Sequence, residues 1–314
     1  VSGTPGEVAS PTQPIPVVTP PLARTSFTYP DDLADLTPEL KAWCDNLFRS
    51  NDMKGMRLYD PYLFNGVGVH YPGIEGGASW GGQAYDPAAG LIVLPTNNFG
   101  FVTGLVKGDG PVAYVRDARF NRFQQTDTRL QCVKPPWGQL TAVDAATGKI
   151  AWQVPLGVSD NLPERLRATG RPGQGGAITT AGGLVFIGFS DDARFRAFDT
   201  RTGKEVWTYR LEASAHATPI SYRGSDGRQY VAVTSTGPPS TGRPSSRKRS
   251  KTAPPRSTPT PTRRCGNAWE RARPPARRSR NSSPGTPQNS ASSRRCRSPM
   301  STVRWRPWPM RLTC

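Results

Sequence analysis

The side chains that first suggest chemistry are a repeated pair of aspartates, the only two histidines, and a small set of cysteines. Asp144 and Asp199 occupy the same place in two eleven-residue stretches 55 residues apart, AVDAATGKIAW from Ala142 to Trp152 and AFDTRTGKEVW from Ala197 to Trp207. Paired carboxylates can do general acid–base work. Here each Asp is followed by Thr-Gly three and four residues on, the composition of a tight turn whose Asp accepts the turn's own N–H groups, so both are expected to be structural. His70 and His216 lie in neither a triad nor a metal-ligand spacing. His216, at the start of a strand in ASAHATP, reads as a hydrogen-bonded structural residue, whereas His70 precedes a glycine-rich run and is a candidate for the mouth of a site. The five cysteines show no C-x-x-C spacing, which supports neither a zinc site nor a thioredoxin-type motif. Cys44 and Cys132, the two outside the C-terminal tail, either pair in an oxidising compartment or remain buried thiols; spacing leaves both open.

The elements that must position these residues are short strands. Both repeat copies fit A-x-D-x-x-T-G-K-x-x-W, an alternating apolar run, a turn, and a second run ending in an aromatic, which is the pattern of a β-hairpin. Repetition at this period points to a β-propeller or another array. Residues 1 to about 30 are Pro-rich and should run extended over a surface. Thr37 and Pro38 open a helix with Leu40, Trp43, Cys44 and Leu47 on one face, and Asn51 to Gly77 reads as loop. From Trp80, GGQAYDPAAGLIVLPTNN gives a hairpin, Phe101 to Pro136 an excursion, and Gln139 to Val154 the first repeat hairpin. After a loop from Gly157 to Gly176, four antiparallel strands are expected at Ile178–Thr180, Leu184–Phe189, Phe195–Asp199 and Glu205–Arg210, one complete blade. Thr218–Tyr222 and Gln229–Ser235 begin another.

Charge divides the chain. Residues 1 to 236 hold 22 basic and 22 acidic side chains, while residues 237 to 314 hold 19 basic residues and one acid, Glu270. The formal excess of +18 therefore belongs to the Arg/Pro/Ser-rich tail, and the global charge is no guide to the body. A disordered basic tail of this kind binds phosphate backbones or anionic surfaces. The composition also matches GC-rich codons read out of frame, and the change falls inside a blade, so the favoured expectation is a frameshifted tail with no evolved nucleic-acid partner. No apolar run reaches the ~18 residues of a membrane span.

Several segments together carry a family resemblance: PGEVASPTQPIP, GGASWGG at Gly76 to Gly82, CVKPPWGQLTAVDAATGKIAWQVPLG, GGAITTAGGLVFIG and ASAHATPISYRGSDGRQYVAV. In this order, across most of residues 5 to 236, they resemble the C-terminal part of membrane-associated quinoprotein dehydrogenases of the glucose and quinate group, which use pyrroloquinoline quinone (PQQ). The resemblance implies an all-β fold: about two and a half four-stranded blades of an eight-bladed propeller, with Trp152 and Trp207 docking between blades, followed by the disordered basic tail. It implies oxidation of a sugar or polyol hydroxyl with electrons passed to ubiquinone. It places Ser79, Trp80, Gly175 and Gly176 at the cofactor, Ser79 standing where relatives often have Asn. The catalytic base and the ligands of a calcium or magnesium ion are expected upstream of Val1, the chain being a fragment of a longer polypeptide. Periplasmic residence at the inner membrane, through segments outside this chain, follows from the same source.

The expected organisation is residues 1–79 as Pro-rich segment, helix and loops, 80–236 as the partial propeller, and 237–314 as the tail. The competing reading is a non-catalytic propeller scaffold whose basic tail binds nucleic acid or anionic surfaces.

Overall fold

In the computed structural model, which describes residues 5, 6, 8, 10, 12, 14, 17–73, 76–78, 80–117, 119–237 and 301–303 (the last three as backbone alone), both copies of the repeat close the same turn. Asp144 Oδ1 accepts hydrogen bonds from Ala146 N (3.0 Å), Thr147 N (2.8 Å) and Thr147 Oγ1 (2.9 Å). Asp199 Oδ1 accepts from Arg201 N, Thr202 N and Thr202 Oγ1 at 3.1, 2.9 and 2.8 Å. Gly148 and Gly203 each close their turn at φ +70°, where a side chain would be strained. The Thr147 and Thr202 donors hold both carboxyls below the usual range, as suits turn anions and not a general base. Asp86 repeats the device, accepting from Ala88 N and Ala89 N at 3.0 and 3.1 Å.

These turns join strands into two four-stranded antiparallel sheets in sequential order. The first blade is Ala84–Asp86, Leu91–Asn97, Gly138–Asp144 and Ile150–Pro155. The second is Ala177–Thr180, Leu184–Ile187, Arg194–Asp199 and Glu205–Arg210. The hairpin around Asp86 and the first repeat hairpin thus belong to one sheet: Leu91 pairs with Asp144 and Asn97 with Gly138, and the stretch between them is an insertion into the blade. The second blade matches the expected four strands, except that its second strand stops at Ile187. Phe189 turns to φ +54°, and Ser190 bridges to Gly173 instead. Both repeats carry a register shift at the same point, after Ala142 and after Ala197. A third sheet begins with Ile220–Arg223 and Gln229–Val233, and Ser301–Val303 runs antiparallel to the latter. The remaining tail, 238–300 and 304–314, lies outside the described residues.

Blade packs on blade through the repeat itself. Between the first two sheets lies a core that includes Val93, Leu140, Ala142, Val185, Ile187 and Phe198. At its rim the Trp152 indole crosses to the next blade, donating from Nε1 to Thr200 O (2.9 Å) with its ring against Gly203. A Cβ at Gly203 would lie 2.5 Å from that ring. Trp207 packs edge-on to Phe195 and joins the core between the second blade and the third sheet. Gly203→Ala should therefore destabilise the chain by about 2–3 kcal/mol, the left-handed strain plus the displaced indole. Gly90→Ala, at φ +68° but facing open space, should cost only about 1 kcal/mol. Urea denaturation of the two variants separates the terms, and equal losses would remove the docking role of Trp152.

The helix Pro38–Ser50, capped by the Thr37 side chain, buries Leu40, Cys44 and Phe48. They meet Phe123, Leu130, Val133 and Trp137 of the insertion in a separate core, closed by a Cys44–Cys132 disulfide. The stretch read as loop contributes Lys54–Gly55 and Gly68–His70 to a small sheet with Phe101–Thr103. Strands of two and three residues are too short to show a period in sequence.

Candidate functional site

The strand Leu91–Asn97 ends where two glycine-rich loops converge. Asn97 N donates to Gly77 O (2.7 Å), and Ala78 bridges Thr96. The buried Asn97 side chain brackets Gly173, donating from Nδ2 to its carbonyl (3.1 Å) and accepting its N–H on Oδ1 (3.0 Å). One residue type with a donor and an acceptor side by side thus ties Gly76–Ala78 and the Pro172–Gly176 loop to one strand end.

Beyond it the two loops touch directly. A Cβ on Gly81 would lie 2.1 Å from Gly175 C, and one on Gly176 would lie 2.0 Å from Gly81 O. Thr218 Oγ1 donates to the same Gly81 carbonyl (2.9 Å), and Gly175, at φ +101°, faces the His216 carbonyl. Glycine at 81, 175 and 176 is therefore required because two backbones approach each other there. The junction brings Trp80, Gly175 and Gly176 together. Trp80, 80% exposed, packs between no sheets and presents its indole outward. Ser79 lies outside the described residues.

His216 lines a cavity of about 240 Å³ with Arg122, Arg129, Asp191 and the Pro172–Gln174 loop. His70 sits in the small sheet with its ring edge-on to Tyr62, and burial pulls its pKa below the ordinary value. Asp191 and Asp192, between the second and third strands of the second blade, are both ion-paired. Asp191 receives a bidentate fork from fully buried Arg171 (2.6 and 3.1 Å), and Arg129 Nη2 approaches it at 3.1 Å. Asp192 pairs with Arg196, both buried. Sequence reasoning missed these pairs; its only signal was an arginine in the apolar alternation of the strand Arg194–Asp199.

Trp80 directly precedes Gly81 of the glycine contact and is 80% exposed, and an exposed indole is a surface on which a flat, conjugated ring can stack. Calcium or magnesium has no ligand set here, since among the described residues no group of three or more His, Cys, Asp or Glu side chains could hold a metal ion.

A family model described as "PQQ: Glucose/ethanol/alcohol dehydrogenase, beta-propeller domain" matches residues 1–231. The chain is 32% identical over 270 residues to the glycerol dehydrogenase large subunit of Gluconobacter thailandicus, covering 74% of this chain and 35% of that protein. It is 33% identical over 267 residues to the quinate/shikimate dehydrogenase (quinone) of Acinetobacter baylyi, covering 76% and 32%. The chain thus spans about a third of the length of these curated relatives. Among solved structures, a europium-containing methanol dehydrogenase aligns with a TM-score of 0.44 at 24% identity, over 67% of this chain and 32% of that one.

Proposed function

Because the chain belongs to the PQQ-dependent glucose/ethanol/alcohol dehydrogenase β-propeller family, we propose that it is part of an enzyme oxidising a sugar or polyol hydroxyl and passing the electrons to ubiquinone. The observation that carries this reading for the described residues is the exposed Trp80 indole on the Gly81–Gly175–Gly176 junction. The names of the relatives, which act on glycerol and on quinate or shikimate with a quinone, support the substrate class and the acceptor.

PQQ, when bound, supplies a two-electron acceptor for the hydride of a carbinol carbon. The chain's own residues bind and orient it. Trp80 offers a flat apolar face, the three glycines let the two loops meet beside it, and Ser79, next in sequence, would supply a hydroxyl donor for a quinone oxygen. The calcium or magnesium ligands and the catalytic base belong to the remainder of the whole enzyme. Periplasmic residence at the inner membrane is part of the same proposal, and a disulfide between Cys44 and Cys132 agrees with an oxidising compartment.

Titration of PQQ into the 314-residue chain should quench tryptophan emission saturably. Trp80→Ala should weaken the affinity roughly three- to tenfold, the range for loss of one aromatic stack. The same mixture with calcium and glucose should show no turnover. Identical PQQ affinity in Trp80→Ala and the unaltered chain would sink the platform; turnover would show that one third of the enzyme suffices.

A further inference from the structure

The cavity beside the glycine junction has a charge pattern that PQQ stacking on Trp80 does not use. Asp191 spends both carboxylate oxygens on the bidentate Arg171 fork, at 2.6 and 3.1 Å. Arg129 reaches the second of those oxygens at 3.1 Å, and its carbonyl accepts Arg171 Nη1 at 3.3 Å. Two guanidinium groups thus share one carboxylate, which leaves one positive charge in excess where Arg129, about a quarter exposed, meets the 240 Å³ space. A cation in a partly dry cavity favours an anionic ligand far more than one in open water.

The walls are set in advance. Gly173 is bracketed by the Asn97 side chain and bridged to Ser190, so the loop facing the cavity is tied on both sides. Arg122, also on the lining, lies with its guanidinium 4.5 Å from the Phe99 ring centroid. A planar guanidinium such as that of Arg129, held at one end by Asp191, matches the geometry of a carboxylate. At about 240 Å³ the space is smaller than the roughly 300–1,000 Å³ of pockets for drug-sized ligands, so it takes a carboxylate and its neighbouring carbons.

We propose that the Arg129–Asp191–His216 cavity is a subsite for an organic carboxylate. His216 lines the cavity while its backbone lies against Gly175, so the cavity adjoins the glycine junction that follows Trp80 in sequence. This deepens the proposed function and rests on it: a hydroxy acid becomes the substrate class, with a cofactor carboxylate as the other source of the same chemistry.

Calorimetric titration of the full chain with quinate, with glycerol as the neutral probe, and with PQQ tests this. Quinate should bind and glycerol should not. Arg129→Gln, checked for fold by circular dichroism, should weaken quinate at least tenfold, and Arg129→Lys should recover part of the loss. If Arg129→Gln weakens PQQ and quinate does not bind the unaltered chain, the subsite holds a cofactor carboxylate. If a folded Arg129→Gln binds both anions as the unaltered chain does, there is no subsite. Should Arg129→Gln fail to fold, quinate affinity of the unaltered chain must fall at least tenfold between about 50 and 500 mM salt; a flat response overturns the proposal. Loss of PQQ binding in Trp80→Ala with no effect in Arg129→Gln would sink the carboxylate subsite and leave the platform standing.

Discussion

Asp192→Asn should lower the stability of the chain by about 3–5 kcal/mol, the cost of leaving one partner of a buried ion pair uncompensated. The Asp192 and Arg196 side chains are each 2% exposed, and Arg196 Nη2 contacts Asp192 Oδ2. The same oxygen accepts Val158 N (2.9 Å), while Oδ1 accepts Ser190 Oγ (2.8 Å), Arg194 N (3.2 Å) and Arg196 Nη1 (3.2 Å). The pair therefore fixes the turn between the second and third strands of the second blade, and through Val158 it holds the loop that enters that blade. An amide at 192 keeps the shape, removes the charge, and points N–H groups at existing donors. Asp192→Asn with Arg196→Met should cost less than Asp192→Asn alone, because neither charge is then stranded. Urea unfolding of the three variants closes the cycle, and a loss under about 1 kcal/mol for Asp192→Asn would show the charge to be unimportant.

The same pair sets an acid limit. Burial would raise the Asp192 carboxyl, but the Arg196 charge and the hydrogen bonds of Arg196, Ser190 and Val158 outweigh it and hold the pKa below the ordinary value. A carboxyl depressed in the folded state stabilises fully above its unfolded pKa, about 3.9, and loses that contribution as pH falls through the folded value. The unaltered chain should lose stability below about pH 4, and Asp192→Asn should lose less of its own over the same interval.

The parts of this fold legible in sequence are those fixed locally. The D-x-x-T-G turn carries its acceptor, its donor and its left-handed glycine within five residues, so hairpins at 144 and 199 followed from residue types alone. The helix from Pro38 was legible for the same reason, with cap and apolar face contained in one segment. Pairing across the insertion was not, because the alternation of Leu91–Asn97 says which face is buried and nothing about which strand lies alongside. The site divides in the same way. The glycine-rich runs stood out, but what each glycine avoids, the other loop's backbone at Gly81 and Gly175, exists only once both blades are assembled. Arg171 and Asp191 stand twenty residues apart in unremarkable loops, and their fork is a product of tertiary packing.

Removing the Cys44–Cys132 disulfide should cost about 4–5 kcal/mol, close to the loss expected at Asp192, but in a different part of the molecule. The bond closes a loop of 88 residues, and in the chain-entropy account the restraint on the unfolded chain grows with the logarithm of that length. Both cysteines are fully buried, Cys44 on the helix Pro38–Ser50 and Cys132 on the insertion. The helix has no backbone ladder to either blade; aromatic contacts such as Phe48 with Phe27 and Phe123 hold it to the insertion core. Cys44→Ala with Cys132→Ala should therefore lose amide-exchange protection mainly in residues 38–50 and 120–133, while the Leu91–Asn97 and Gly138–Asp144 strands keep theirs. Uniform loss would mean that helix and blades unfold as one unit. An unchanged denaturation midpoint on reduction would mean that the aromatic core alone anchors the helix, and the insertion would then owe its place to packing and not to the cross-link.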